Sequence, residues 1–189
     1  MVKVTKENGI VKVSSSYNKY FVKRARELKG KWVAQCWEFQ EEYEELVREA
    51  LLDIYGEAGT VVPTVKVEVD LDVYNEGEFG MGIYLDKKLL ASRKYRDDKV
   101  TMEDNVIVVK GGFPASGGSA KYPCVAPEEG TVLRATISKH VYDKVKGLEG
   151  VILIEERKED KVNKLFAERA GLLKRLGEIR KELEGYGIK

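Results

Sequence analysis

At 189 residues the chain can bury one sizeable core or two small ones, and 43% hydrophobic with 34% charged residues excludes a disordered polymer. Its 33 basic and 32 acidic side chains leave a net charge of +1, so no global field draws it to nucleic acid or to a membrane surface. Any such attraction must come from charges segregated locally.

No apolar run approaches the roughly 18–20 residues that span a bilayer, and the N-terminus MVKVTKENGI lacks the apolar stretch of a signal peptide. A cytoplasmic location and no membrane partner are the expectation. Gln35 and Gln40 are the only glutamines, while Lys, Arg and Glu abound, a bias typical of proteins from hot environments. Cys36 and Cys124 lie far apart and belong to no CxxC or Cys/His cluster, so a reduced pair is expected rather than a disulfide.

Residues 9–14, GIVKVS, alternate in apolar character and predict a first strand. Ser14 to Ser16 and Asn18 supply turn and N-cap chemistry for a helix from about Lys19 to Lys29, stopped by Gly30. Phe21, Ala25 and Leu28 share one face of that helix. Lys19, Lys23 and Arg26 share the opposite face by their i, i+4, i+7 spacing. Lys31 to Phe39 is aromatic-rich and strand-like, either one strand or a tight hairpin turning near Ala34-Gln35. A second helix follows, with Tyr43, Leu46, Val47, Ala50, Leu51 and Ile54 on its apolar face, an acidic outer face, and Gly56 at its end.

Glu57 to Thr60 is the linker candidate, and beyond it the period changes to two. Val65 to Val73 alternates with Lys66, Glu68, Asp70 and Asp72, predicting a strand with one wet face. Turn clusters then separate short strands near Phe79–Leu85, Leu89–Lys94, Val106–Lys110 and Thr131–Thr136, which suggests an antiparallel meander or curved sheet. Ser138 caps a short helix, Val151–Ile154 reads as a buried strand, and residues from about 158 to 185 read as one amphipathic helix with steps of three and four. The class expected is α+β: a small N-terminal βαββα-like module (1–57), an antiparallel β-rich region (60–156), and a C-terminal amphipathic helix (157–189). That helix either packs on the β region or forms a homodimer.

Trp32 and Trp37 beside the cationic stripe offer rings to stack unpaired bases, with Lys19, Lys23, Arg26 and Lys31 to neutralise phosphates. The competing reading makes both indoles core anchors. Tyr17-Asn18, Phe21-Val22, Leu28-Lys29-Gly30, Trp32, Trp37-Glu38-Phe39 and Glu42-Tyr43 with Leu46 resemble the HARP module. That module is attached to annealing helicases and also occurs in small proteins of plasmids and viruses. Over residues 9–57 the resemblance implies engagement of single-stranded or branched DNA, here as an accessory protein of a mobile genetic element.

The loop Gly111 to Ser119, GGFPASGGS, follows a strand, but Gly118 stands where a P-loop needs lysine. Pro123 and Pro127 exclude the helix a P-loop requires, so nucleoside-triphosphate binding is rejected and a tight turn is expected. Asp72 with Asp86-Lys87-Lys88 loosely fits a metal-dependent nuclease. His140 and Cys124 have no partners at metal or triad spacing. The expectation is therefore a non-enzymatic nucleic-acid-binding protein with no cofactor and no metal, and the alternative is a structural or protein-interaction module.

Overall fold

A computed structural model describes residues 2–74, 79–154 and 158–185. The chain divides into two compact units, Met1–Ile154 and Glu155–Lys189. It is an α+β protein whose strands all pair antiparallel, in three sheets.

The first sheet is built from β1 (Lys3–Glu7), β2 (Ile10–Ser14), β3 (Lys31–Val33) and β4 (Cys36–Gln40), in the order β1-β2-β4-β3. Strand β1 is an addition to the expected module: its side chains are largely exposed, so no apolar alternation announces it. Helices α1 (Lys19–Glu27) and α2 (Glu44–Tyr55) cover the sheet. Val11, Val13, Phe21, Ala25, Phe39, Val47 and Leu51 form the sealed core between them.

Helix α1 ends with a left-handed residue at Lys29 (φ 58°), not at Gly30. Gly30 instead lets Phe39 approach, since a Cβ there would meet the Phe39 ring and the Ala25 carbonyl. Residues 31–40 fold as a hairpin in which Trp32 pairs with Trp37, and its two-residue turn places Ala34 (φ 46°) and Gln35 (φ 64°) in left-handed conformations. Two-residue hairpins demand that backbone because it matches strand twist, even without the asparagine and glycine that favour it. Helix α2 ends as expected at Gly56 (φ 76°).

The second sheet has the order β11-β5-β10-β9, from β5 (Thr64–Asp70), β9 (Val106–Lys110), β10 (Val132–Ser138) and β11 (Val151–Ile154). The third runs β6 (Gly82–Leu85), β7 (Lys88–Ser92) and β8 (Thr101–Met102). This differs from a simple meander. Strand β5 skips its sequence neighbours to pair with β10 and β11, because Val67 and Val69 must face Leu133, Ala135 and the third-sheet residues Ile83, Leu85 and Leu90 in one core. Helix α3 (Lys139–Val145), capped by Ser138 accepting from the Val141 amide, closes that core with Val141 and Val145.

Polar bonds join the two cores of this unit. Asp53 of α2 accepts from Lys87 at 2.5 Å and pairs with Lys144 of α3. Burial raises the Asp53 carboxyl, but the bonds from Lys144 and Lys87 outweigh it and hold the group below its ordinary range. A carboxylate depressed in the fold contributes stability that is complete above its unfolded value near ~4 and lost as pH falls through the folded value. The stability advantage of wild type over Asp53→Asn is therefore expected to be constant from neutral pH to about pH 4 and to shrink below it. Denaturant midpoints at several pH values check this; an advantage that persists unchanged into strong acid would contradict it.

The second unit contains α4 (Lys158–Gly185). Phe166, Leu172, Leu173, Leu176, Ile179 and Leu183 all expose apolar surface on it. No helix among the described residues is long and apolar enough to cross a membrane.

Candidate nucleic-acid interface

The segment entering α1 is fixed by two buried anchors. Asn18 accepts from the Tyr20 amide through Oδ1 at 2.9 Å, capping the helix, while its Nδ2 donates to the Lys87 carbonyl at 2.8 Å in the turn between β6 and β7. Tyr55 donates its hydroxyl to the Ser16 carbonyl at 2.7 Å and accepts from Ser15 at 3.0 Å. Burial pushes the Tyr55 hydroxyl far above its ordinary value, so it remains a donor at any physiological pH. With its neighbours held on both sides, Tyr17 is turned outward and is 72% exposed.

Tyr17 lines two depressions. The smaller, about 180 Å³, also borders Phe21, Val22, Trp32 and Trp37. The larger, about 790 Å³, lies against the third sheet and includes Lys19, Tyr20 and Tyr84. There the Lys19 ammonium sits 4.5 Å from the Tyr84 ring centroid and 5.0 Å from that of Tyr20, and the two rings meet edge to face at 5.3 Å. Burial first, then the neighbouring Tyr17 and Tyr20, push the Tyr84 hydroxyl up to about 12, so it too stays protonated.

The two indoles take different roles. Trp32 is 56% exposed, whereas Trp37 is 8% exposed. Trp37 is held between Trp32, edge to face at 5.6 Å, and Phe39, stacked at 6.4 Å. Edge position explains the split: Trp37 shares the inward face of β4 with Phe39, whereas its cross-strand partner Trp32, on the same face, sits on the short edge strand β3. Trp37 supports the exposed ring, and its own faces are covered.

Lys19, Lys23, Arg26 and Lys31 are all exposed, and no carboxylate among the described residues pairs with any of them. Lys19 stands at the larger depression. Lys23 borders a separate groove of about 540 Å³ between α1 and α2, which also holds Glu27, Glu49, Asp53 and His140. Arg26 and Lys31 project to solvent. The other two cations of the stretch are occupied: Arg24 pairs with Glu27 at 3.1 Å, and Lys29 lies over the Tyr43 ring at 5.7 Å. Tyr17 joins the candidate surface only in the fold, because a tyrosine preceding an N-cap carries no periodic signal in the sequence.

The glycine-rich loop serves packing. Arg93 on the strand side is only 1% exposed and donates to the carbonyls of Arg96 at 3.0 Å and Pro114 at 2.6 Å. Gly117 lies flat against that guanidinium; a Cβ there would sit 3.4 Å from its central carbon and would collide with the Cys124 carbonyl. At the loop's base Gly111 (φ 69°) packs on Thr131, whose hydroxyl donates to the Gly112 carbonyl at 3.0 Å.

The residues of the nuclease-like pattern do not gather at one site. Asp72 accepts from the Gly130 amide at 2.6 Å, and Lys87 is committed to Asp53. Among the described residues no three His, Cys, Asp or Glu side chains gather as metal ligands, and Cys36 and Cys124 are free thiols. No family model, curated protein or solved structure matches the chain.

Proposed function

We propose that the protein binds single-stranded or branched DNA without catalysing a reaction, through α1 and the adjoining β3–β4 hairpin. The observation that carries this is the pairing of two outward rings, Trp32 and Tyr17, across one depression, on a stretch of chain that also exposes four cations free of ion pairs among the described residues. Rings of this kind stack any base, and the cations neutralise phosphates, a combination suited to unpaired strands. The resemblance of residues 9–57 to the HARP module supports the same substrate.

Fluorescence anisotropy with a labelled oligonucleotide tests it. Trp32→Ala is expected to weaken binding about tenfold, because stacking on one aromatic is worth ~1–3 kcal/mol per base. Trp37→Phe, which keeps the support, is expected to change affinity less than about twofold. Equal losses for the two variants, or no binding by wild type, would leave a compact interaction module instead.

We further propose that α4 pairs with a second copy of itself. Leu172, Leu176, Ile179 and Leu183 follow one another by four, three and four residues and are all exposed. That spacing makes a coiled-coil seam, and burying it repays the two interior glycines, Gly171 and Gly177, each of which costs a helix about 1 kcal/mol. Sedimentation should show a dimer whose fraction rises with concentration and which Leu176→Glu converts to monomer. A strict monomer at every concentration would overturn the pairing.

A further inference from the structure

The larger depression is more than a flank of the stacking surface. At about 790 Å³ it falls within the range of cavities that enclose one small ligand, ~300–1,000 Å³. Its wall is aromatic and apolar: Tyr20, Tyr84, Phe79 and Met81 line it, with the exposed Tyr17 ring at the boundary with the smaller depression. Cations stand around it. Lys19 and Lys94 border the cavity, and neither is paired with a carboxylate among the described residues. The acidic Glu103 in the same wall is engaged by the Ser16 hydroxyl at 3.0 Å.

The second carboxylate of the wall, Asp86, is paired with Lys144, its Oδ2 3.8 Å from that ammonium. A flat, ring-shaped ligand fits the aromatic wall, and an attached anion suits the two lysines. A nucleotide combines both properties.

We propose that the cavity receives one nucleobase drawn out of a bound strand, held against Tyr84 and Phe79, with its flanking phosphates on Lys19 and Lys94. This rests on the strand-binding reading above and adds a pocket to it: Tyr17 lies between neighbouring bases, one on Trp32 and one inside. The protein would thus favour strands with a base free to leave the stack, as at junctions, bulges and ends, over continuous duplex, where unpairing must first be overcome.

A labelled heptanucleotide of mixed sequence, in which each position in turn is made abasic, tests the pocket on the wild-type protein. One interior position is expected to lose about tenfold more affinity than its neighbours. The second arm blocks the cavity. Gly80 borders it, a Cβ there would meet nothing within 4 Å, and its φ lies outside the left-handed region, so Gly80→Leu fills space without displacing backbone. That variant should bind the intact heptanucleotide about tenfold more weakly and lose the sensitivity to the abasic position. If the heptanucleotide binds wild type and Gly80→Leu equally, and all abasic positions behave alike, the pocket is overturned while strand binding stands. If wild type binds no oligonucleotide, both fail.

Discussion

Arg93→Ala is expected to destabilise the first unit by about 3–5 kcal/mol, lowering its melting temperature by about 10 °C. The side chain is sealed, so truncation leaves a void the size of most of an arginine. It also removes the two bonds from the guanidinium to the Arg96 and Pro114 carbonyls, and a hydrogen bond from a charged donor is worth about 1.5–3 kcal/mol. The loop from 111 to 125 keeps the bond from the Gly117 amide to the Arg96 carbonyl, at 2.9 Å, but loses its tie to Arg93 through Pro114. Arg93→Met, which fills much of the volume but donates nothing, separates the two contributions and should cost about half as much. Thermal and denaturant unfolding measure both. A loss under about 1 kcal/mol for Arg93→Ala would mean that the loop is held by its own turns alone.

The second large effect belongs to α1. Reversing Lys19, Lys23 and Arg26 together to glutamate is expected to reduce oligonucleotide affinity about a hundredfold or more. The salt dependence should also flatten by about 2 in logarithmic slope, since each phosphate contact on a single strand contributes about 0.7. All three side chains are exposed, so the fold should survive, and an unchanged melting curve verifies that. The same reversal at the exposed Lys66, Lys110 and Lys139, on other elements, alters net charge equally and is expected to weaken binding only a few-fold. Equal losses from both triples would reduce the interaction to a diffuse charge effect and remove α1 from it.

Several of these elements were legible without coordinates. The capping side chain of Asn18, the three buried residues Phe21, Ala25 and Leu28, the strand Val106–Lys110 and the helix cap at Ser138 all follow from short-range rules. Each concerns residues within a few positions of one another, where backbone hydrogen bonding and side-chain period dominate. Strand β1 escaped because an edge strand with exposed faces needs no alternation. The pairing of β5 with β10 and β11 escaped for another reason: which strands become neighbours is set by how two faces share a core, and chain order does not encode that.

The candidate interface divides along the same line. Composition and helical spacing were enough to put Lys19, Lys23 and Arg26 on one face opposite Phe21 and Ala25, because a period of 3.6 leaves no other arrangement. Sequence could not say which indole faces water, since Trp32 and Trp37 are chemically the same and only the hairpin register assigns one to an edge and the other to the core. Nor could it bring Tyr17, Tyr84 and Arg93 around one cavity: they stand far apart in the chain, and packing of the helix entrance against the third sheet unites them. Local periodicity thus determined the elements and their faces, and long-range packing alone decided which side chains meet.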